Sequence, residues 1–76
     1  MAFPHNILMK NYNQLFIENV KTLMREENVS QTLLAEKLSV DQTTISAWLR
    51  GESEPTLSKI CLLMEFFNCT FYDLVE

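Results

Sequence analysis

SQTLLAEKLSVDQTTISAWLRG, residues Ser30 to Gly51, carries two short helix signals separated by a break. Ser30 suits an N-cap, because its hydroxyl accepts a bond from a backbone N–H that the helix leaves unpaired. Leu34, Ala35 and Leu38 recur at i, i+1 and i+4 and form one apolar stripe. Ser39-Val40 breaks the pattern. Asp41 supplies a second N-cap, and Ile45 and Trp48, three apart, begin a second stripe. Gly51 ends that helix, as the residue best suited to the left-handed conformation just past a helix end. The small Ala35 lets the two helices approach closely.

A helix, a tight turn and a second short helix with a polar outer face make up the supersecondary unit that enters the DNA major groove. With Ile45 and Trp48 turned inward, Gln42, Thr43, Ser46, Ala47 and Arg50 point outward. Gln42 can offer an amide donor and acceptor to adenine, and Thr43 can bond a base edge or touch a thymine methyl. Ala47 either meets a thymine methyl or acts as a spacer. Taken singly, these polar side chains are ordinary solvated surface; the motif around them is what points to base reading.

Ser30-Gln31, Leu34-Ala35, Leu38, Val40, Thr44-Ile45-Ser46, Trp48 and Gly51 stand at the spacing of the lambda-repressor-like helix-turn-helix family, the Cro/C1 or Xre type. The resemblance runs on through Pro55, Thr56, Leu57, Ile60, Leu63, Phe67 and Leu74, and back through Val20, Leu23, Arg25 and Glu26. It implies an all-α, five-helix DNA-binding domain and a sequence-specific regulator. By the same resemblance Gln42, Thr43 and Ala47 occupy base-contacting positions. Gln31 falls where the family grips a phosphate and braces the reading glutamine, and Thr44, Ser46, Arg50 and Lys37 are further phosphate or bracing candidates. The chain departs from the family pattern at Ser39, where Gly is common, and at Leu49, where a charge is usual. Ser39 therefore implies strain of about 1 kcal/mol or a shifted turn. Leu49 either marks a partner-facing patch or leans onto the core.

Composition agrees with this class. Seventy-six residues form one domain with a small core, and 47% apolar content with a single Gly argues for helices. No run of about 20 apolar residues is present, so no membrane span is expected. The opening MAFPHNILMK lacks the pattern of a signal peptide, and a cytoplasmic protein is expected. Cys61 and Cys69, with the single His5 far away, do not match a zinc site. Free thiols are expected, Cys61 packed on a helix and Cys69 in a loop. One histidine, no acid–base pair and no Gly-rich phosphate loop leave nothing for catalysis, and no cofactor is expected.

The net charge of −4 opposes DNA binding, which draws on Lys and Arg. Its distribution softens the conflict. Lys10, Lys21 and Arg25 balance Glu18, Glu26 and Glu27, while the acidic excess lies mostly beyond the two-helix unit. A face with Lys37 and Arg50 can still meet DNA, weakly and with a second subunit.

Flanking the unit, residues 1–12 form an N-terminal arm and 13–76 the domain. The arm's Phe3, Ile7, Leu8 and Met9 either pack loosely on the domain or serve as a partner-binding or dimer-swapping segment. A first helix runs from Asn13 to Glu27 on Phe16, Val20, Leu23 and Met24, and Asn28 ends it. Thr56 caps a fourth helix whose broad apolar face carries Leu57, Ile60, Cys61, Leu63, Met64 and Phe67, with Asn68 as its stop. Thr70 caps a last helix from Phe71 to Glu76. Phe66, Phe67, Phe71 and Tyr72 are too crowded for so small a core, and Phe66, Phe71 and Tyr72 are dimer candidates.

Two partners follow: double-stranded DNA read by a homodimer, or a regulatory protein partner. The first makes the chain a repressor on an inverted repeat, of the kind found in phages and mobile elements. The second makes it an interaction module, such as an antitoxin or anti-repressor partner, with weak or no DNA binding.

Overall fold

A computed structural model describes residues 11–76. The described chain is five helices in the order α1 (Tyr12–Glu26), α2 (Gln31–Leu38), α3 (Gln42–Leu49), α4 (Leu57–Phe67) and α5 (Phe71–Val75), with no strand among them. The fold is the all-α arrangement expected. The arm assigned to residues 1–12 lies outside the described residues up to Lys10. Helix α1 begins at Tyr12, one residue before the expected Asn13, because the Asn11 side chain accepts the Gln14 N–H at 3.0 Å and starts the helix there.

One device ends four of the five helices. Asn28, Ser39, Gly51 and Asn68 all hold positive φ, between 52° and 75°. In each case the next residue donates its N–H back to a carbonyl five residues earlier: Val29 to Met24, Val40 to Ala35, Glu52 to Ala47, Cys69 to Met64. This is the Schellman closure, which satisfies carbonyls that the helix end leaves open. Ser39 thus keeps the left-handed conformation that glycine adopts without strain. After three of these ends the next residue is apolar: Val29, Val40 and Cys69 pack against the core. After α3 it is Glu52, which stays exposed.

The starts are equally local. The hydroxyls of Ser30, Thr56 and Thr70 accept N–H groups of Leu33, Lys59 and Asp73. Asp73 returns the bond to the Thr70 N–H at 2.8 Å, completing a capping box. Asp41 occupies the N-cap of α3 with extended backbone, but its side chain makes no capping bond, contrary to expectation. Its contribution reduces to a negative charge at the positive end of the helix.

The core closes on Leu34, Leu38, Ile45, Leu63 and Leu74, with Trp48 buried among the same cluster. α1 packs chiefly on α5, and α2 on α3. Ile17, adjacent to the expected stripe, also faces inward at 4% exposure, so the buried face of α1 is broader than the spacing of Phe16, Val20 and Met24 implies. Two side chains tie helices together by capping carbonyls across the fold. Asn19 Nδ2 donates to the Leu74 carbonyl at 2.9 Å, and Lys59 Nζ to the Leu38 carbonyl at 2.8 Å.

Two expectations about packing need correction. Leu57 and Cys61 do not belong to the buried face of α4; both are exposed. Positions 57, 61 and 65 share one stripe at i, i+4 and i+8, and the charge of Glu65 marks that stripe as the solvent side. The two thiols are free, and Cys69 lies in the turn as expected, while Cys61 is not packed. Cys69, in the turn, is the half-buried one, because it follows the left-handed residue and folds onto the core. Burial, with a smaller contribution from the Asp73 charge, pushes its thiol pKa up.

Candidate nucleic-acid interface

The two-helix unit is fixed from behind. Leu34, Ala35 and Leu38 of α2 and Ile45, Trp48 and Leu49 of α3 are buried. Leu49 therefore serves the core and not a partner-facing patch. That burial sets the rotation of α3 about its axis and leaves Gln42 and Thr43 exposed, with Ala47 half-buried behind them. Ser46 is half-buried and Thr44 likewise, the latter with its backbone N–H bonded to the Asp41 carbonyl at 2.9 Å.

Side chains from α2 hold those of α3 at two points. Thr32 Oγ1 donates to Gln42 Oε1 at 3.1 Å, and Ser46 Oγ donates to Gln31 Oε1 at 2.5 Å. The bracing of Gln42 expected of Gln31 thus falls to Thr32. Gln31 and Thr32 are about 100° apart around α2, so they meet different turns of α3, and Gln31 reaches Ser46 one turn on. The amide N–H₂ of Gln42 points away from the Thr32 bond and keeps both its donors. Thr32 gives no signal in the sequence beyond a hydroxyl near a helix start. Only the crossing of the two helices pairs it with Gln42.

Beside this face lies an open groove of about 580 Å³ where α1, α2 and α3 meet. Lys21 and Arg25 reach it from α1, Ser30 and Gln31 from the start of α2, and Ser46 and Arg50 from α3. Its floor is apolar, made by Met24 and Leu49, each 8% exposed. The first N–H groups of α2 have no partner within the helix, and the positive end of its dipole opens on the same groove. Cations, hydroxyls and free N–H groups over an apolar floor suit a phosphate. Lys21 and Arg25 look like ordinary outer-face residues of α1 in the sequence, and the fold brings them here. Lys37 stays exposed at the last turn of α2 and does not line the groove.

Arg50 is not free. Its Nε donates to Glu52 Oε2 at 2.8 Å and its Nη2 to Glu52 Oε1 at 3.0 Å, a two-point fork and the one ion pair among the described residues. Hydrogen bonding first and opposite charge second lower the Glu52 pKa and raise that of Arg50. Both side chains are more than half exposed, at 58% and 59%, so water screens the pair and phosphate can compete for the guanidinium.

In α4, Phe66 is half-buried and meets Phe67 edge to face at 4.9 Å. Phe71 and Tyr72 are 49% and 70% exposed, and Phe67 is the member of the group that fits inside. Among the described residues no cluster of three metal-ligating side chains occurs, and no helix is long and apolar enough to cross a membrane.

A helix-turn-helix family model matches residues 20–74 of the chain. The match takes in both central helices, the three-residue turn between them (39–41) and the groove residues of α1. No curated protein and no solved structure matches the chain. The fold and the family model agree: this chain belongs to the Cro/C1-type helix-turn-helix family of DNA-binding regulators.

Proposed function

We propose that the chain is a sequence-specific repressor in the cytoplasm that binds an inverted-repeat operator as a homodimer. The observation that carries this is the outer face of α3: Gln42 and Thr43 exposed at its first turn, Gln42 aimed by Thr32, and a cationic groove beside it. Gln42 reads adenine with its amide, Thr43 takes a base edge or a thymine methyl, and Ala47 meets a thymine methyl or acts as a spacer. Phosphates on either side are gripped by the first turn of α2 with Gln31, by Lys21 and Arg25, and by Arg50 once Glu52 is displaced. Ser46 steadies Gln31, Thr44 lends a hydroxyl, and Lys37 adds a more distant charge. Repression is steric, a dimer occupying the operator, with Phe66, Phe71 and Tyr72 as its contact surface. Half-sites about 34 Å apart then place two α3 helices in successive major grooves.

The Arg50–Glu52 fork favours a second reading, a protein-interaction module with weak DNA affinity. Selection of binders from a randomised duplex pool at low and near-physiological salt separates the two. An enriched inverted repeat supports the dimeric regulator; no enrichment at either salt refutes it and leaves the protein partner.

A further inference from the structure

Three of the four large exposed apolar side chains among the described residues, Tyr12, Phe71 and Tyr72, gather in one place. With Val75 and Glu76 they line an open groove of about 430 Å³ between the start of α1 and α5. A second hollow of about 220 Å³ shares Tyr12, Phe71 and Val75 and extends the trough toward Pro55 and Ile60, with Glu54 at its edge. The lining is apolar, and its charged members are both carboxylates.

We propose that this trough is the docking site of residues 3–9 of the same chain. Those residues carry Phe3, Ile7, Leu8 and Met9, side chains that water disfavours. Their path to the trough is short: Asn11 caps α1, and the next residue, Tyr12, is already a wall of the groove. A tether this short keeps the loop-closure cost small and the local concentration high, whereas a separate molecule must give up its translational freedom. Charge points the same way. Lys10 carries the one charged side chain among the first ten residues and is opposite in sign to the acidic rim, while a second copy centred on the trough sets Glu54 and Glu76 against their own twins. Phe71 and Tyr72 also belong to the proposed dimer surface, so the arm and a second copy compete for them.

Amide hydrogen exchange of the full chain and of a Phe3→Ser, Ile7→Ser, Leu8→Ser variant, each at two concentrations, tests this without DNA. Docking within the chain gives roughly tenfold faster exchange at Leu74, Val75 and Glu76 in the variant at both concentrations, with α3 unchanged. Unchanged exchange in α5 overturns the proposal, as does equal acceleration in α3 and α5. Acceleration confined to the concentration at which the chain sediments as a dimer assigns the trough to a second copy and overturns it too.

Discussion

Replacing Ser39 by glycine should stabilise the domain, and the structure gives the size of the gain. Ser39 lies at φ 57° and ψ 45°, a left-handed conformation that costs an L-residue about 1–2 kcal/mol. Glycine removes that cost but widens the unfolded ensemble, which takes back about 0.4–1 kcal/mol. The exposed Ser39 side chain makes no hydrogen bond among the described residues; its backbone N–H closes the α2 end on the Ala35 and Glu36 carbonyls. The net gain for Ser39→Gly is therefore about 0.5–1 kcal/mol, or about 2–8 °C in Tm for a domain of this size. Asn28→Gly and Asn68→Gly serve as internal controls. They share the positive φ, but asparagine tolerates it, so relief and unfolded-state loss nearly cancel. Gly51→Ala runs in the opposite sense. The new Cβ stands 3.5 Å from Ile17 Cδ1, an ordinary contact, so the loss of about 0.5–1 kcal/mol comes from the backbone at φ 75°. Urea melts followed by circular dichroism, with a common m-value, measure all four. A Ser39→Gly variant less stable than the wild type, or asparagine replacements that gain as much, refutes strain at Ser39.

Three further outcomes concern the interface. Gln42→Ala should cost about 1–3 kcal/mol at a single operator position and relax preference there, read by binding to a set of single-base operator variants; an equal loss on every duplex counts against base reading. Arg50→Ala should lower the salt slope of binding by about one unit, and Glu52→Gln should tighten binding to all duplexes alike by releasing the guanidinium. Titration of each variant against several unrelated duplexes checks this. Affinity unmoved by Glu52→Gln shows that the fork does not compete with phosphate.

Much of this protein is local enough to read along the chain. Caps at Ser30, Thr56 and Thr70 and stops at Asn28, Ser39, Gly51 and Asn68 each depend on a side chain and a few neighbouring backbone groups, so residue type alone announces them. The stripe of Leu34, Ala35, Leu38, Ile45 and Trp48 fixes which face of each central helix is inward, and by subtraction which face of α3 is outward. Where two elements must meet, sequence spacing falls silent. Thr32 finds Gln42, Ser46 finds Gln31, and Lys21 and Arg25 reach the groove of α2 and α3 only because of how the helices cross. Glu52 closes on Arg50 because the turn after α3 leaves it in water, whereas Val29, Val40 and Cys69 at the equivalent place fold inward. Hydrophobic period and hydrogen-bonding caps act over a few residues and determined the helices; pairing between helices depends on their crossing, and that the packed core alone decided.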